Sequence, residues 1–187
     1  MNRRTLVVIL PSALTLARLC AVPVTIWLIL DGAFGAAFWI FVAAGVTDAL
    51  DGALARWFDA RTAIGGYLDP IADKALLVSV YIALAAGELV PIWLAILVVF
   101  RDLLIVGGVL LSHTLGQPMM MAPLAISRLN TVVQIVLAGL VLAMASLDVP
   151  GGAIAAIMVA VVGATTTISG AAYAVMWLRR LAGLEPS

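Results

Sequence analysis

The sequence has little of what disulfide-bonded domains, zinc sites and nucleic-acid-binding proteins require. Its 187 residues include one cysteine and one histidine, only 11% are charged, and the formal net charge is zero. The single cysteine, Cys20, excludes an internal disulfide. Cys20 and His113 are also too few for a zinc site, which usually takes four ligands. Because no basic patch with interleaved aromatic residues is present, we predict no nucleic-acid partner.

The chain is instead rich in apolar residues, which make up 65% of it and give a mean hydropathy of +1.21. That balance is typical of a polytopic membrane protein rather than of a soluble domain. Arg3 and Arg4 precede only a short apolar run at residues 6–10, which Pro11 interrupts, so we expect no cleavable signal peptide. Since no internal repeat, linker or low-complexity segment is evident, residues 1–187 are predicted to form one domain.

Apolar runs divide most of the chain into six predicted transmembrane helices. They are preceded by residues 2–10, basic at one end and apolar at the other, which we expect to lie as an interfacial segment on the membrane. Each predicted span is long enough to cross about 30 Å of hydrocarbon. The prediction is an all-α membrane protein with spans at about 13–30, 34–56, 67–86, 91–112, 125–146 and 153–178.

Lysine and arginine are distributed unevenly between the predicted connections. Residues 31–33, 87–90 and 147–152 contain acidic residues but no basic one, whereas the connections and termini on the other side carry eight of the ten Lys and Arg residues. Because basic connections stay in the cytoplasm, both termini are predicted to be cytoplasmic. We expect an integral protein of a bacterial inner membrane.

Four carboxylates interrupt this apolar sequence within one short stretch. Asp48 and Asp51 are three residues apart, and Asp69 and Asp73 are four apart, so each pair is predicted to share one face of a helix. An ionised carboxylate in hydrocarbon costs about 2.5–3.5 kcal/mol. Caps and ion pairs would explain single aspartates, as we expect for Asp59, but not two same-face pairs. Oxygen-only ligands favour Mg²⁺ or Mn²⁺, and the spacing predicts a site for one or two ions.

The residues around these aspartates resemble the signature of the CDP-alcohol phosphatidyltransferase family at every fixed position: Asp48, Asp51, Gly52, Ala55, Arg56, Gly65, Asp69 and Asp73. The resemblance implies a membrane enzyme of phospholipid biosynthesis that moves the phosphatidyl group of CDP-diacylglycerol onto an alcohol and releases CMP. It also implies two metal ions, an active site facing the cytoplasm, and a homodimer.

The roles of the four aspartates follow from the same resemblance. Asp48, Asp51 and Asp69 would hold one metal ion, and Asp48, Asp69 and Asp73 would hold the second. Asp73, the last of the motif, matches the proposed general base of the family, which takes a proton from the acceptor hydroxyl.

The donor side of the predicted site is formed by residues around the aspartates and near the N-terminus. Gly52 and Ala55 carry little or no side chain, which allows a nucleotide to approach the helix backbone, although close helix packing would explain them as well. The planar fork of Arg56 suits a phosphate. The resemblance adds four residues to this set: Ser12, Thr15, Thr62 and Gly65. Ser12 departs from the asparagine that relatives often carry.

The acceptor is predicted from polar residues of the fourth and fifth spans. Arg101 is either half of an internal ion pair with Asp102 or an acceptor ligand, and Arg128 is either a helix-end anchor or an acceptor ligand. With Asn130, these residues look most like cardiolipin synthases of the family, whose acceptor is phosphatidylglycerol. Phosphatidylglycerophosphate synthase, which uses glycerol 3-phosphate, is the alternative; inositol phosphate and serine are further acceptors.

Two other classes of membrane protein use acidic residues. Membrane prenyltransferases carry two aspartate-rich helices, but their spacing differs and they lack the Gly-x-x-Ala-Arg element. A divalent-cation transporter would place its ligands near the membrane midplane, often in repeated halves. Here the aspartates are predicted to lie at one surface, without a second copy.

Overall fold

A computed structural model describes the backbone of residues 3–58, 65–114 and 125–181, and the side chains of residues 17–47, 74–108 and 125–179. Within these ranges the chain forms six α-helices and no strand, which confirms the all-α prediction and the number of helices. The helices are α1 Arg3–Leu30, α2 Phe34–Phe58, α3 Gly65–Ala86, α4 Ile92–Thr114, α5 Ala125–Ser146 and α6 Gly152–Leu181.

The start of α1 corrects the predicted organisation of the N-terminus. The sequence predicts a separate segment at residues 2–10 and a new helix from Pro11, but α1 runs without a break from Arg3 through Pro11. A proline removes one backbone hydrogen bond from a helix. In an apolar surrounding, ending the helix would leave several backbone groups without partners, so continuation costs less. The interfacial position of the first residues stays a prediction.

By length and composition, two helices in the described part of the chain qualify as membrane spans: Ala125–Ser146 and Gly152–Arg179. Within the residues whose side chains are described, three further apolar stretches belong to α1, α2 and α3: Ala17–Leu30, Phe34–Thr47 and Lys74–Ala86. The structure therefore supports a membrane protein with at least these two candidate spans.

The connections that lack Lys and Arg begin with the same turn. At the end of α1, Ala33 N–H donates to the Leu28 carbonyl (2.9 Å) and Gly32 N–H to the Ile29 carbonyl (3.2 Å), which is a Schellman cap. The pattern recurs at the ends of α3 and α5, where the left-handed residue is Glu88 (φ 58°) or Asp148 (φ 51°) instead of glycine. These caps satisfy the last carbonyls of each helix, which would otherwise lack partners.

The chain divides into two compact units. The first comprises Met1–Leu89 and Ala138–Pro150. In it α1 packs against both α2 and α3, and the buried core is apolar: Ile29, Ala37, Phe41, Ala44, Val80, Tyr81 and Leu84. Small residues allow close approach: a Cβ on Gly35 would lie 3.7 Å from that of Ser146, and one on Gly139 would lie 3.9 Å from the Phe41 ring. Among the side chains that the structure describes in this unit, the charged Arg18 is also enclosed, with 4% of its surface exposed.

The second unit comprises Val90–Leu137 and Gly151–Ser187. Here α4 and α6 run in the same direction and meet at three levels, each with a glycine opposite a large side chain. Gly163 faces Trp93, Gly170 faces Arg101, and Gly108 faces Trp177. The absence of a side chain at these positions lets the two backbones come close, as is common between membrane helices.

Neighbouring glycines of α4 provide a test of this packing. A Cβ on Gly108 would lie 2.4 Å from Trp177 Nε1, whereas a Cβ on Gly107 would have no atom within 4 Å. We expect Gly108→Ala to lower the free energy of unfolding by about 1–3 kcal/mol through overpacking. Gly107→Ala, the matched control, should be neutral or stabilising by up to about 1 kcal/mol because alanine favours the helix. Thermal unfolding in detergent measures both, and equal effects would contradict the contact.

Candidate active site

The aspartate motif is divided between two consecutive helices of the first unit. Asp48 and Asp51 lie in the C-terminal half of α2, and Asp69 and Asp73 lie in the N-terminal half of α3. Both pairs of aspartates therefore lie on helical backbone, as their spacing predicts. The four side chains lie outside the described residues, so their convergence on a metal ion stays a prediction.

The donor-binding residues divide in the same way. Ser12 and Thr15 lie in α1, Gly52, Ala55 and Arg56 lie in α2, and Gly65 begins α3. Their side-chain surroundings, and Thr62 as a whole, lie outside the described residues. What the structure adds is that α1 contacts both helices of the motif.

The chemistry of the motif fits a divalent metal. The four predicted ligands are all carboxylates, and they lie on two helices that follow one another in the chain and both pack against α1. Oxygen donors of this kind suit Mg²⁺ or Mn²⁺. These residues could therefore hold the ions that the sequence predicts.

A buried polar cluster occupies the core of the second unit, near the middle of α4. The guanidinium of Arg101 is 1% exposed and donates from all three nitrogens. Nη1 donates to Asp102 Oδ1 (2.5 Å), Nη2 donates to Ser127 Oγ (2.5 Å) and Ser169 Oγ (2.8 Å), and Nε donates to Ser169 Oγ (3.2 Å). Asp102 is 3% exposed, so the pair is internal. The structure therefore contains the internal ion pair that was one of the two predictions for Arg101.

A second polar layer lies next to this cluster, between α5 and α6. Asn130 is fully buried, and its Oδ1 accepts hydrogen bonds from Thr165 Oγ1 (2.8 Å) and Thr166 Oγ1 (2.9 Å). Gln134 Nε2 donates to Thr166 Oγ1 (3.3 Å). Asn130 Nδ2 has no hydrogen-bond partner among the described residues. The side chain of Asn130 is thus enclosed between two helices.

Arg128 differs from the other two predicted acceptor residues because it is exposed. It belongs to the first turn of α5, directly after Ser127, and takes part in a polar or electrostatic interaction. The backbone N–H groups of a first helical turn lack intrahelical partners and favour an anion nearby.

Sequence reasoning missed the α6 half of this cluster. Ser169, Thr165 and Thr166 bond to α4 and α5, yet the sequence presents them only as a short polar run in an apolar helix. The spacing of Thr166 and Ser169, three residues apart, was the available signal. Arg18 in α1 was also missed; a charged residue within an apolar span was the signal there.

The comparisons with known proteins agree with the motif. The family model described as CDP-alcohol phosphatidyltransferase matches residues 8–179. The chain belongs to this family. The resemblance on which the sequence prediction depends is therefore confirmed.

Relatives in the CDP-alcohol phosphatidyltransferase family carry two kinds of name. The cardiolipin synthase (CMP-forming) of Rattus norvegicus is 35% identical over 144 residues, 68% of this chain and 48% of that protein. The one of Streptomyces coelicolor is 36% identical over 120 residues, 60% of this chain and 56% of that protein. A probable phosphatidylglycerophosphate synthase of Mycobacterium tuberculosis is 33% identical over 182 residues, 94% of this chain and 85% of that protein.

The chain thus spans about half the length of the cardiolipin synthases it matches, and most of the length of the mycobacterial relative. Both kinds of relative are named as enzymes of phospholipid synthesis.

Proposed function

We propose that this protein transfers the phosphatidyl group of CDP-diacylglycerol to phosphatidylglycerol, with release of CMP, as a cardiolipin synthase. The observation that carries the reaction class is the family match over residues 8–179, which includes the complete aspartate motif on α2 and α3. The choice of phosphatidylglycerol as acceptor rests on two relatives of this chain, from Rattus norvegicus and Streptomyces coelicolor, that are named cardiolipin synthase (CMP-forming).

The reaction is one displacement at phosphorus. The acceptor hydroxyl attacks the phosphorus of the phosphatidyl group, the bond to the bridging oxygen of CMP breaks, and CMP leaves with that oxygen. Asp73 accepts the proton of the attacking hydroxyl. Bound Mg²⁺ or Mn²⁺ would neutralise charge that develops on the phosphates. Asp48, Asp51, Asp69 and Asp73 are the residues that would hold these two ions.

The remaining residues of the first unit would bind and orient the donor. Arg56 forms a bidentate contact with a donor phosphate, and the small residues Gly52 and Ala55 let the nucleotide approach α2. Ser12, Thr15, Thr62 and Gly65 complete this proposed donor set. The acceptor is assigned to the second unit, which carries Arg101, Arg128 and Asn130.

In this proposal all six helices cross the membrane, both termini and the aspartates face the cytoplasm, and the protein is a homodimer. The absence of Lys and Arg from residues 31–33, 87–90 and 147–152 supports the orientation. In sealed inverted vesicles, donor turnover should respond to metal added outside, and right-side-out vesicles should not respond.

The homodimer has its own test, which is the mass of the protein particle in detergent. A particle mass of one chain would contradict the dimer.

One observation favours a different acceptor, glycerol 3-phosphate. The relative that this chain covers most fully, at 85% of its length, is named a probable phosphatidylglycerophosphate synthase. Glycerol 3-phosphate would then replace phosphatidylglycerol as acceptor, with the same donor and the same aspartates.

The experiment that separates these proposals supplies purified protein with CDP-diacylglycerol, Mg²⁺ or Mn²⁺, and one acceptor at a time. We expect cardiolipin from phosphatidylglycerol, identified by mass, with one CMP released per product. If product forms from glycerol 3-phosphate alone, glycerol 3-phosphate is the acceptor and the reaction class stays the same. Metal flux into liposomes without CMP release from any acceptor would favour a divalent-cation transporter and reject the proposed function.

A further inference from the structure

Arg18 carries a positive charge into the helix packing of the first unit. It is 4% exposed and shares one face of α1 with Thr25 and Ile29, which are 0% and 2% exposed. In this unit α1 packs against α2 and α3, the helices that carry the aspartate motif. Arginine does not lose its proton in proteins, so the guanidinium stays charged where it is enclosed. A buried charge of this kind requires negative charge nearby.

The backbone of the motif reaches the same depth as Arg18. Depth is measured along each helix from the three-residue connection between α1 and α2, where a Schellman cap ends α1. Arg18 is twelve residues, or about 18 Å, from Leu30 at the end of α1. Asp48 is fourteen residues, or about 21 Å, from Phe34 at the start of α2. The two backbone positions therefore differ in depth by about 3 Å, less than one helical turn.

The other acidic side chains that the structure describes in this unit lie at helix ends. Asp31, Glu88 and Asp148 are exposed and belong to the connections that lack Lys and Arg. The aspartates of the motif are therefore the negative charges that Arg18 balances. Arg18 already takes part in a polar or electrostatic interaction within the protein. Because a charge acts over several ångströms, the balance does not depend on an unused N–H group.

We infer that Arg18 is a built-in counter-charge of the aspartate motif, and that it couples the binding of the metal ions to the binding of the CDP donor. The inference rests on the proposed function, because it takes the four aspartates as metal ligands. While the ions are absent, Arg18 offsets part of the negative charge of the carboxylates. When the ions bind, Arg18 repels them, and when the donor follows, Arg18 attracts its diphosphate.

The charges of the proposed complex support this coupling. Two divalent ions match the four carboxylates, so the two negative charges of the donor diphosphate need partners from the protein. Arg56 supplies one positive charge and Arg18 supplies the second. Without the donor, the charge of Arg18 disfavours the metal-loaded site. With the donor, the same charge is neutralised, so each ligand favours the other through Arg18.

The first experiment measures the dissociation constant of Mn²⁺ for the purified protein by electron paramagnetic resonance, with and without CDP-diacylglycerol. Without donor, Arg18→Gln should lower this constant about fivefold or more, because a repelling charge is gone. The donor should then tighten Mn²⁺ binding less in Arg18→Gln than in wild type. Arg18→Lys keeps the charge and should stay within twofold of wild type. Unchanged or weaker Mn²⁺ binding in Arg18→Gln overturns the inference.

Thr25→Val is the matched control in the same helix. Thr25 is fully buried on the face of α1 that carries Arg18, and its hydroxyl donates to the Ala21 carbonyl (2.7 Å). The substitution removes a buried polar group without a change of charge, so the Mn²⁺ dissociation constant should stay within twofold of wild type. An equal change in Thr25→Val and Arg18→Gln would assign the effect to the packing of α1 and overturn the inference.

Thermal unfolding extends the test to an unstable variant. Mn²⁺ should raise the unfolding temperature of Arg18→Gln more than that of wild type, since it binds the variant more tightly. Arg18→Gln protein that stays unfolded in saturating Mn²⁺ contradicts the inference, because the ions should replace the missing counter-charge. Wild-type protein that binds no Mn²⁺ rejects the proposed function and this inference with it. Wild-type transfer activity combined with equal Mn²⁺ binding in Arg18→Gln rejects the coupling alone.

Discussion

Asp69→Asn is expected to reduce phosphatidyl transfer by more than about 100-fold, because loss of an outer-shell partner of a metal site alone costs about 10–100-fold. Asparagine keeps the size of aspartate but removes the negative charge that a hard divalent cation requires. The same loss is expected for Asp48→Asn, Asp51→Asn and Asp73→Asn. Turnover of CDP-diacylglycerol, followed as CMP release, measures each variant.

A matched control exists within the same stretch of sequence. Asp59 lies between the two aspartate pairs but outside the motif, so Asp59→Asn should keep near-wild-type turnover. A chelator should silence wild-type protein, and added Mg²⁺ or Mn²⁺ should restore it. Activity of Asp69→Asn at wild-type level, or turnover that persists in chelator, would exclude the proposed metal site.

Asp102→Asn is expected to destabilise the protein by about 3–5 kcal/mol, since breaking a buried ion pair leaves one charge without its partner. Arg101 and Asp102 are 1% and 3% exposed, and their side chains form an ion pair. The guanidinium would keep its bonds to Ser127 and Ser169 but lose its counterion. Thermal or denaturant unfolding in detergent gives the change in free energy.

The control removes both charges together. Arg101→Met with Asp102→Leu replaces the pair by apolar side chains, and such replacements are often neutral or stabilising. The double variant should therefore unfold at a higher temperature than Asp102→Asn, while its transfer activity stays low because α5 loses its link to α4. A double variant less stable than Asp102→Asn would show that the pair contributes through hydrogen bonds rather than through charge balance.

The helices of this protein were largely predictable because their signals are local. Where the structure describes both sides of a helix end, the observed bound differs from the predicted one by one residue at most; these ends are Leu30, Phe34, Ala86, Ile92, Ser146 and Gly152. Apolar runs and turn residues determine these ends directly. Pro11 was the exception, because its effect depends on whether an apolar surrounding makes a helix break more costly than one lost hydrogen bond.

The candidate site was predictable to different degrees in the two units. The aspartate motif depends on spacing within a few turns of two helices, so the family could be predicted from the sequence, and the family model confirms it. The metal ligands themselves stay a prediction. In the second unit the sequence did not decide whether Arg101 forms an internal ion pair or binds the acceptor. The structure contains the ion pair with Asp102.

By itself the sequence determined an all-α, predominantly apolar chain, the helix ends at the three connections that the structure describes, and a carboxylate motif specific to one family of phosphatidyltransferases. Only the tertiary structure decided which polar residues face each other. Arg101 bonds to Ser127 and Ser169, which are 26 and 68 residues away in the chain, and Gly108 rather than Gly107 meets Trp177. Such contacts depend on the rotation and crossing of packed helices, and helical periodicity says which residues share a face but not which helix that face meets.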